Sequence, residues 1–127
     1  MRNPLTGIFL GLLLEVAPCV QADEAQGEAD VVAVDVSRTA PGTFRFDVTI
    51  ASNDTGWDGY ADAFEVLSPT GELLGRRVLH HPHVDEQPFT RSLGGVEIGP
   101  DVERVKVRAH HSTAGYDGRS RMVPVPH

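Results

Sequence analysis

An all-β sandwich is the fold class this sequence predicts, and three observations predict it. From Val31 onward apolar and polar residues alternate with period two. Clusters of Gly, Pro, Asn, Asp and Ser interrupt that alternation at short intervals. No segment of the same stretch has the three-to-four-residue period of an amphipathic helix. Strands that send alternate side chains to opposite faces bury one face each, and a second sheet is needed to cover it.

The first segment, 1–22, reads as a cleaved signal peptide. Arg2 supplies the positive end, Gly7-Ile8-Phe9-Leu10-Gly11-Leu12-Leu13-Leu14 the apolar run, and Val20-Gln21-Ala22 the small-residue cleavage site. The run is too short for a spanning helix, which needs ~20 apolar residues. Cys19 raises a second reading, a lipidated N-terminus, although Pro18 stands where a lipoprotein signal has a small residue. Cleavage after Ala22 removes the one cysteine, so no disulfide is expected and stability must come from a core. The leader carries one base, Arg2, and one acid, Glu15, so the net charge of −7 is unchanged by its loss. Such an acidic chain is a poor partner for phosphate backbones and anionic lipid surfaces, which excludes nucleic acid and peripheral membrane binding. Residues 23–30, Asp23-Glu24-Ala25-Gln26-Gly27-Glu28-Ala29-Asp30, are acidic and lack aromatics; they read as a flexible lead-in.

The domain proper is expected over 31–127. Val32, Val34 and Val36 alternate with Ala33 and Asp35 in a first strand, and Thr39-Ala40-Pro41-Gly42 turns. Phe44, Phe46, Val48 and Ile50 alternate with Arg45, Asp47 and Thr49 in a second. Ser52–Tyr60 is a loop with the lone tryptophan, Trp57. Ala61–Leu67 and Leu73–His81 form a hairpin closed by Ser68-Pro69-Thr70-Gly71. Phe89–Ile98 follows, with Gly94-Gly95 marking a bulge. Val102–His111 directs Val105, Val107 and Ala109 inward, and Ser120–Val125 is last. Seven strands at this spacing match an immunoglobulin or fibronectin III-like antiparallel sandwich, without the Cys–Trp–Cys signature of antibody domains.

His81-Pro82-His83-Val84-Asp85-Glu86-Gln87-Pro88-Phe89-Thr90-Arg91-Ser92-Leu93, with Thr55-Gly56-Trp57-Asp58 before it, resembles a group of small exported bacterial proteins of unassigned role. The resemblance covers most of the mature chain. It implies a secreted β-sandwich and carries over no catalytic residue.

In a sandwich of this kind the second, fourth and sixth strands run in one direction, so the segments after them reach one pole. Those are the loop 53–60, the segment 80–88 and the loop 112–118, the last preceded by His110-His111. Five of the six histidines converge there. His81 and His83, two apart in extended chain, face the same way; His111 shares the inward phase of its strand. A Zn(II) or Cu(II) site of His81, His83 and His111 is the sharpest expectation, with His80 and His110 as alternates and Glu86 supplying oxygen. The mature chain has no thiolate and one thioether, Met122, which disfavours Cu(I). The plainer expectation is that the histidines are solvated or hydrogen-bonded to a long crossover. Arg91 is expected to pair with an acid. Trp57, Tyr60 and Tyr116 at the same pole form a contact surface for a protein partner, as rigid aromatic rings do in paratopes, or else Trp57 and Tyr60 plug the end of the core. No serine stands in a nucleophile-elbow context, so the reading leans away from an enzyme. The expected role is an exported, non-catalytic binding domain, periplasmic or secreted, taking a metal ion or an unknown envelope protein. The alternative is an interaction or accessory subunit without metal.

Overall fold

The computed structural model describes residues 27–127. The segment 1–22 expected to be a signal peptide, with Cys19, and the first part of the acidic lead-in lie outside the described residues. The described chain contains seven strands and no helix: β1 (Ala29–Ala40), β2 (Thr43–Ser52), β3 (Ala61–Leu67), β4 (Leu73–Val78), β5 (Phe89–Glu97), β6 (Arg104–His111) and β7 (Arg121–Pro124). They form two antiparallel sheets, β1-β2-β5 and β4-β3-β6-β7. No helix among the described residues is long and apolar enough to cross a membrane.

The alternation in β2 is the plainest cause of this architecture. Phe44, Phe46, Val48 and Ile50 are fully buried, while Arg45 is exposed and Asp47 and Thr49 are half-buried. They meet Phe64 and Val66 of β3 and Val105 and Val107 of β6 in one core. Full burial of each large apolar side chain contributes roughly 1.5–3 kcal/mol, and this core takes the place of a covalent staple.

Strand β1 departs from the expected phase. It begins at Ala29, and Val31 is fully buried opposite Ile50. Ala33 then stands opposite Thr49, so Val32 is an extra residue in a bulge. One inserted residue resets the two-residue period: Val31 faces the core before the bulge, and Val34 and Val36 pack against it after. Ala29 and Asp30, the end of the acidic stretch, are therefore part of the sheet. The Gly94-Gly95 bulge is present; Phe44 pairs with Val96 but Phe46 with Leu93, and Gly95 has φ +68°.

Strand β4 ends at Val78, three residues before the expected His81. Leu79 is buried and its N–H donates to the Asp62 carbonyl at 2.8 Å, after which the chain leaves β3. It must cross from one sheet to the other to begin β5, and residues 79–88 are that crossing.

Candidate functional site

The three segments expected at one pole do meet there. Ser112 N–H donates to the Tyr60 carbonyl (2.8 Å), and Tyr60 N–H to Ser112 Oγ (3.1 Å). Asp54 joins the 53–60 loop to the crossing. Its Oδ1 accepts from Ala61 N–H (3.0 Å) and its Oδ2 from His83 N–H (2.8 Å), both buried. Gln87 holds the other end of the crossing. Its Oε1 accepts from Ser52 N–H (2.9 Å), and its amide donates to Ser52 Oγ (3.1 Å) and the His83 carbonyl (2.8 Å).

His83 sits at the centre of this clamp, 6% exposed. Its ring stacks on Phe89 with centroids 4.0 Å apart and planes 11° from parallel. Arg91 Nη2 lies 2.9 Å from His83 Nε2. A guanidinium only donates, so Nε2 accepts and the ring proton resides on Nδ1. Nδ1 is buried and has no hydrogen-bond partner among the described residues; Asp54 Oδ2 is 4.0 Å away. Burial, and then the Arg91 charge, push the His83 pKa below the usual imidazole value. Arg91 also donates to the Thr90 carbonyl (2.8 Å) and to Glu86 Oε1 (3.3 Å), and its Cζ lies 5.5 Å from the Phe89 ring centroid. The expected acid partner of Arg91 is therefore Glu86.

The other histidines are divided among different environments. The His81 and His83 rings are neighbours, with centroids 5.3 Å apart. His80 and His81 are exposed. His111 is buried; its Nδ1 accepts from Thr113 N–H (3.3 Å) and lies 3.2 Å from Thr113 Oγ1, and its Nε2 lies 3.4 Å from the Asn53 carbonyl. His110, in the opposite phase of β6, pairs through Nδ1 with Asp62 at 2.5 Å. Among the described residues, no group of three or more His, Cys, Asp or Glu side chains is disposed to hold a metal ion. As donors for Zn(II) or Cu(II), His81 and His83 are the pair brought together, and Arg91 stands on the His83 nitrogen that would ligate.

The aromatic set also divides. Trp57 is 70% exposed and makes an edge contact with Tyr60, centroids 5.6 Å apart at 74°, so it does not plug the core. Tyr116 belongs to the outer face of the second sheet. Its hydroxyl donates to Glu65 Oε2 (3.0 Å), His110 meets its ring edge-on (4.7 Å), and Arg108 Cζ lies 3.7 Å from its centroid. Glu65 is only 4% exposed and is also bonded by Arg76 and Arg108. Burial pushes its pKa up, but the hydrogen bonds from Arg108, Tyr116 and Arg76 outweigh it and hold the carboxyl below its usual value.

Between Trp57 and the crossing runs an open groove of about 630 Å³. Trp57, His81, Pro82, Val84, Glu86 and Arg91 are among its walls. Sequence reasoning singled out Trp57, His81, His83 and Glu86, and missed Asp54 and Gln87 as the residues that shape the groove. The signal for both was available only in part: a short acid and an amide in loops that meet only after folding.

Among curated proteins, the chain is 41% identical over 96 residues to a protein of Halomicrobium mukohataei named "Putative lipoprotein". The match covers 76% of this chain and 47% of that protein. The chain thus spans about half the length of the curated relative it matches. No family model matches, and no solved structure matches.

Proposed function

We propose that this chain is an exported, envelope-associated, non-catalytic binding domain of fibronectin III-like type that receives its ligand in the groove beside Trp57. The leader-like sequence of residues 1–22 and the name of the Halomicrobium relative support export. The placement of β4 beside β3, giving a three- and a four-stranded sheet, supports the fibronectin III comparison over the antibody-constant arrangement of four and three. The exposure of Trp57 carries the functional reading. Its loop is tied down by the Thr55 N–H to Gly59 carbonyl bond (2.9 Å), the return bond from Gly59 N–H to the Gly56 carbonyl (3.1 Å), and Asp54. A large ring carried into water on a tied-down loop at the lip of a groove favours recognition over packing. Photo-crosslinking from position 57 in the full chain, in its native envelope, tests this. Adducts at 57 and 84 with none at Asp101, on the opposite pole, are expected. Equal labelling at all three positions, or none, overturns it.

A second reading, a Zn(II) or Cu(II) site, is favoured by the proximity of the His81 and His83 rings. Binding would require Arg91 to leave His83 Nε2. Calorimetric titration of each metal into the protein and its His81→Ala variant tests it: one-to-one binding lost in the variant sustains the metal, and no binding sinks it.

A further inference from the structure

We propose that the groove takes an organic cation, an alkylammonium or guanidinium group on an apolar stem, with the charge over the Trp57 indole and the stem between Pro82 and Val84. This rests on the reading of the groove as the binding site and names the chemistry of what enters it.

The charge around the groove favours a cation. Its charged walls are Asp85, Glu86 and Arg91, two carboxylates to one guanidinium, and Asp58 follows Trp57 in the adjoining turn. Arg91, the one cation of the walls, is already engaged: Nη1 donates to the Thr90 carbonyl and Nη2 to His83 Nε2 and Glu86, so its charge is partly offset by the Glu86 carboxylate. Asp85 is exposed and makes no ion pair among the described residues. A cation entering here meets uncompensated negative charge, and an anion is repelled.

The aromatic surface is of the matching kind. Among the described residues, arginine stacks on Phe89 and on Tyr116. Trp57, the best ring type for binding a cation, has no such partner among the described residues, although it is the most exposed large apolar residue among them. Tyr60 meets its ring at 74°, centroids 5.6 Å apart, and supports the indole at the lip of the groove. Val84, 51% exposed, adds apolar surface for a methylene stem. Groove volume is within the range of small-ligand sites, roughly 300–1,000 Å³.

Trp57 is the lone tryptophan, so its fluorescence reports on this site alone. The intact protein is titrated at fixed ionic strength with tetramethylammonium, N-acetyl-lysinamide and a short Lys/Arg peptide, beside sodium acetate as the anionic control. A saturable change with the cations and none with acetate is expected. Asp85→Asn together with Glu86→Gln weakens it by about tenfold. A peptide that binds about tenfold more tightly than tetramethylammonium identifies a basic protein segment as the source, and equal affinities identify a free small cation. Amide shifts of His81 and of residues 83–86 in Trp57→Ala, where fluorescence is lost, must lose their response to the same cations. A flat response to all cations, or the same response to sodium salts, overturns the proposal. A saturable response to acetate alone overturns the cation while leaving the groove as a binding site, as do position-57 crosslinks in a protein that ignores cations.

Discussion

His83 Nε2 accepts a hydrogen bond from Arg91 at 2.9 Å, which places an imidazole that must be unprotonated against a permanent cation. Protonation would set two positive charges against one another, one of them on a ring that is buried. The folded protein therefore resists protonating His83, and its pKa lies below the usual 6.5 because of burial and the Arg91 charge.

The consequence for stability follows from proton linkage. Between the lowered pKa and 6.5 the unfolded chain binds a proton that the folded chain does not, so stability rises with pH across that window. The contribution is fully present above 6.5 and is lost as pH falls toward the folded value. Urea unfolding at pH 7.5, 6.5 and 5.5 should show this decline. In His83→Gln the slope should shrink by up to about 1.4 kcal/mol per pH unit, the limit for one proton. An unchanged slope would remove His83 as its source.

A different acid response comes from the second sheet. The Glu65 carboxyl is held below its usual 4.5 by Arg108, Tyr116 and Arg76 against the opposing effect of burial. Its contribution is present above 4.5 and is lost as pH falls through the folded value. Glu65→Gln should cost about 2 kcal/mol at neutral pH, the scale of hydrogen bonds to a charged group, and should flatten the loss of stability below pH 4.5. Thermal unfolding at pH 7 and at pH 3.5 separates the two effects.

Asp54 makes the loops one unit, since its two oxygens hold Ala61 N–H and His83 N–H. Asp54→Ala leaves two buried donors without acceptors, at about 1–3 kcal/mol each where no water replaces the oxygen. Local opening should be concentrated at the pole. Hydrogen exchange at the His83 and Ala61 amides should accelerate by at least tenfold, while Val105 and Val107 in β6 change only by the global loss of stability. Uniform acceleration would mean that Asp54 supports the whole sandwich rather than the groove.

What the sequence could reveal here depended on the range of the interaction. The alternation of Phe44, Phe46, Val48 and Ile50 is local, so the face of β2 is legible without a structure. The bulge at Val32 is not, because Val31, Val32, Ala33 and Val34 are all apolar and the period can be entered in either phase. Convergence of the three loops followed from strand direction. What each histidine does there did not. Adjacent His110 and His111 end on opposite faces, one on Asp62 and the other beneath Asn53. His83 was legible as a residue of the pole. Its commitment to Arg91 was not, because that depends on how the crossing folds back on the start of β5, eight residues later.

The N-terminal strand and the last loop are joined by a contact that only a glycine permits. A Cβ at Gly118 would stand 1.8 Å from the Ala29 carbonyl oxygen and 2.5 Å from its carbon. Both are backbone atoms, so relief requires strand and loop to separate. The neighbouring bonds would open with them: Arg119 N–H to Asp30 Oδ1 (2.6 Å) and Val31 N–H to the Arg119 carbonyl (2.8 Å). Gly118→Ala should therefore destabilise the domain by about 1–3 kcal/mol or more, the range for overpacking. Gly94→Ala is the matched control, since a Cβ there meets nothing within 4 Å, and should change stability by no more than about 0.5 kcal/mol. Denaturant midpoints of the two variants decide the matter. If they coincide, the loop yields freely and β1 is held by its pairing with β2 and by the packing of Val31, Val34 and Val36.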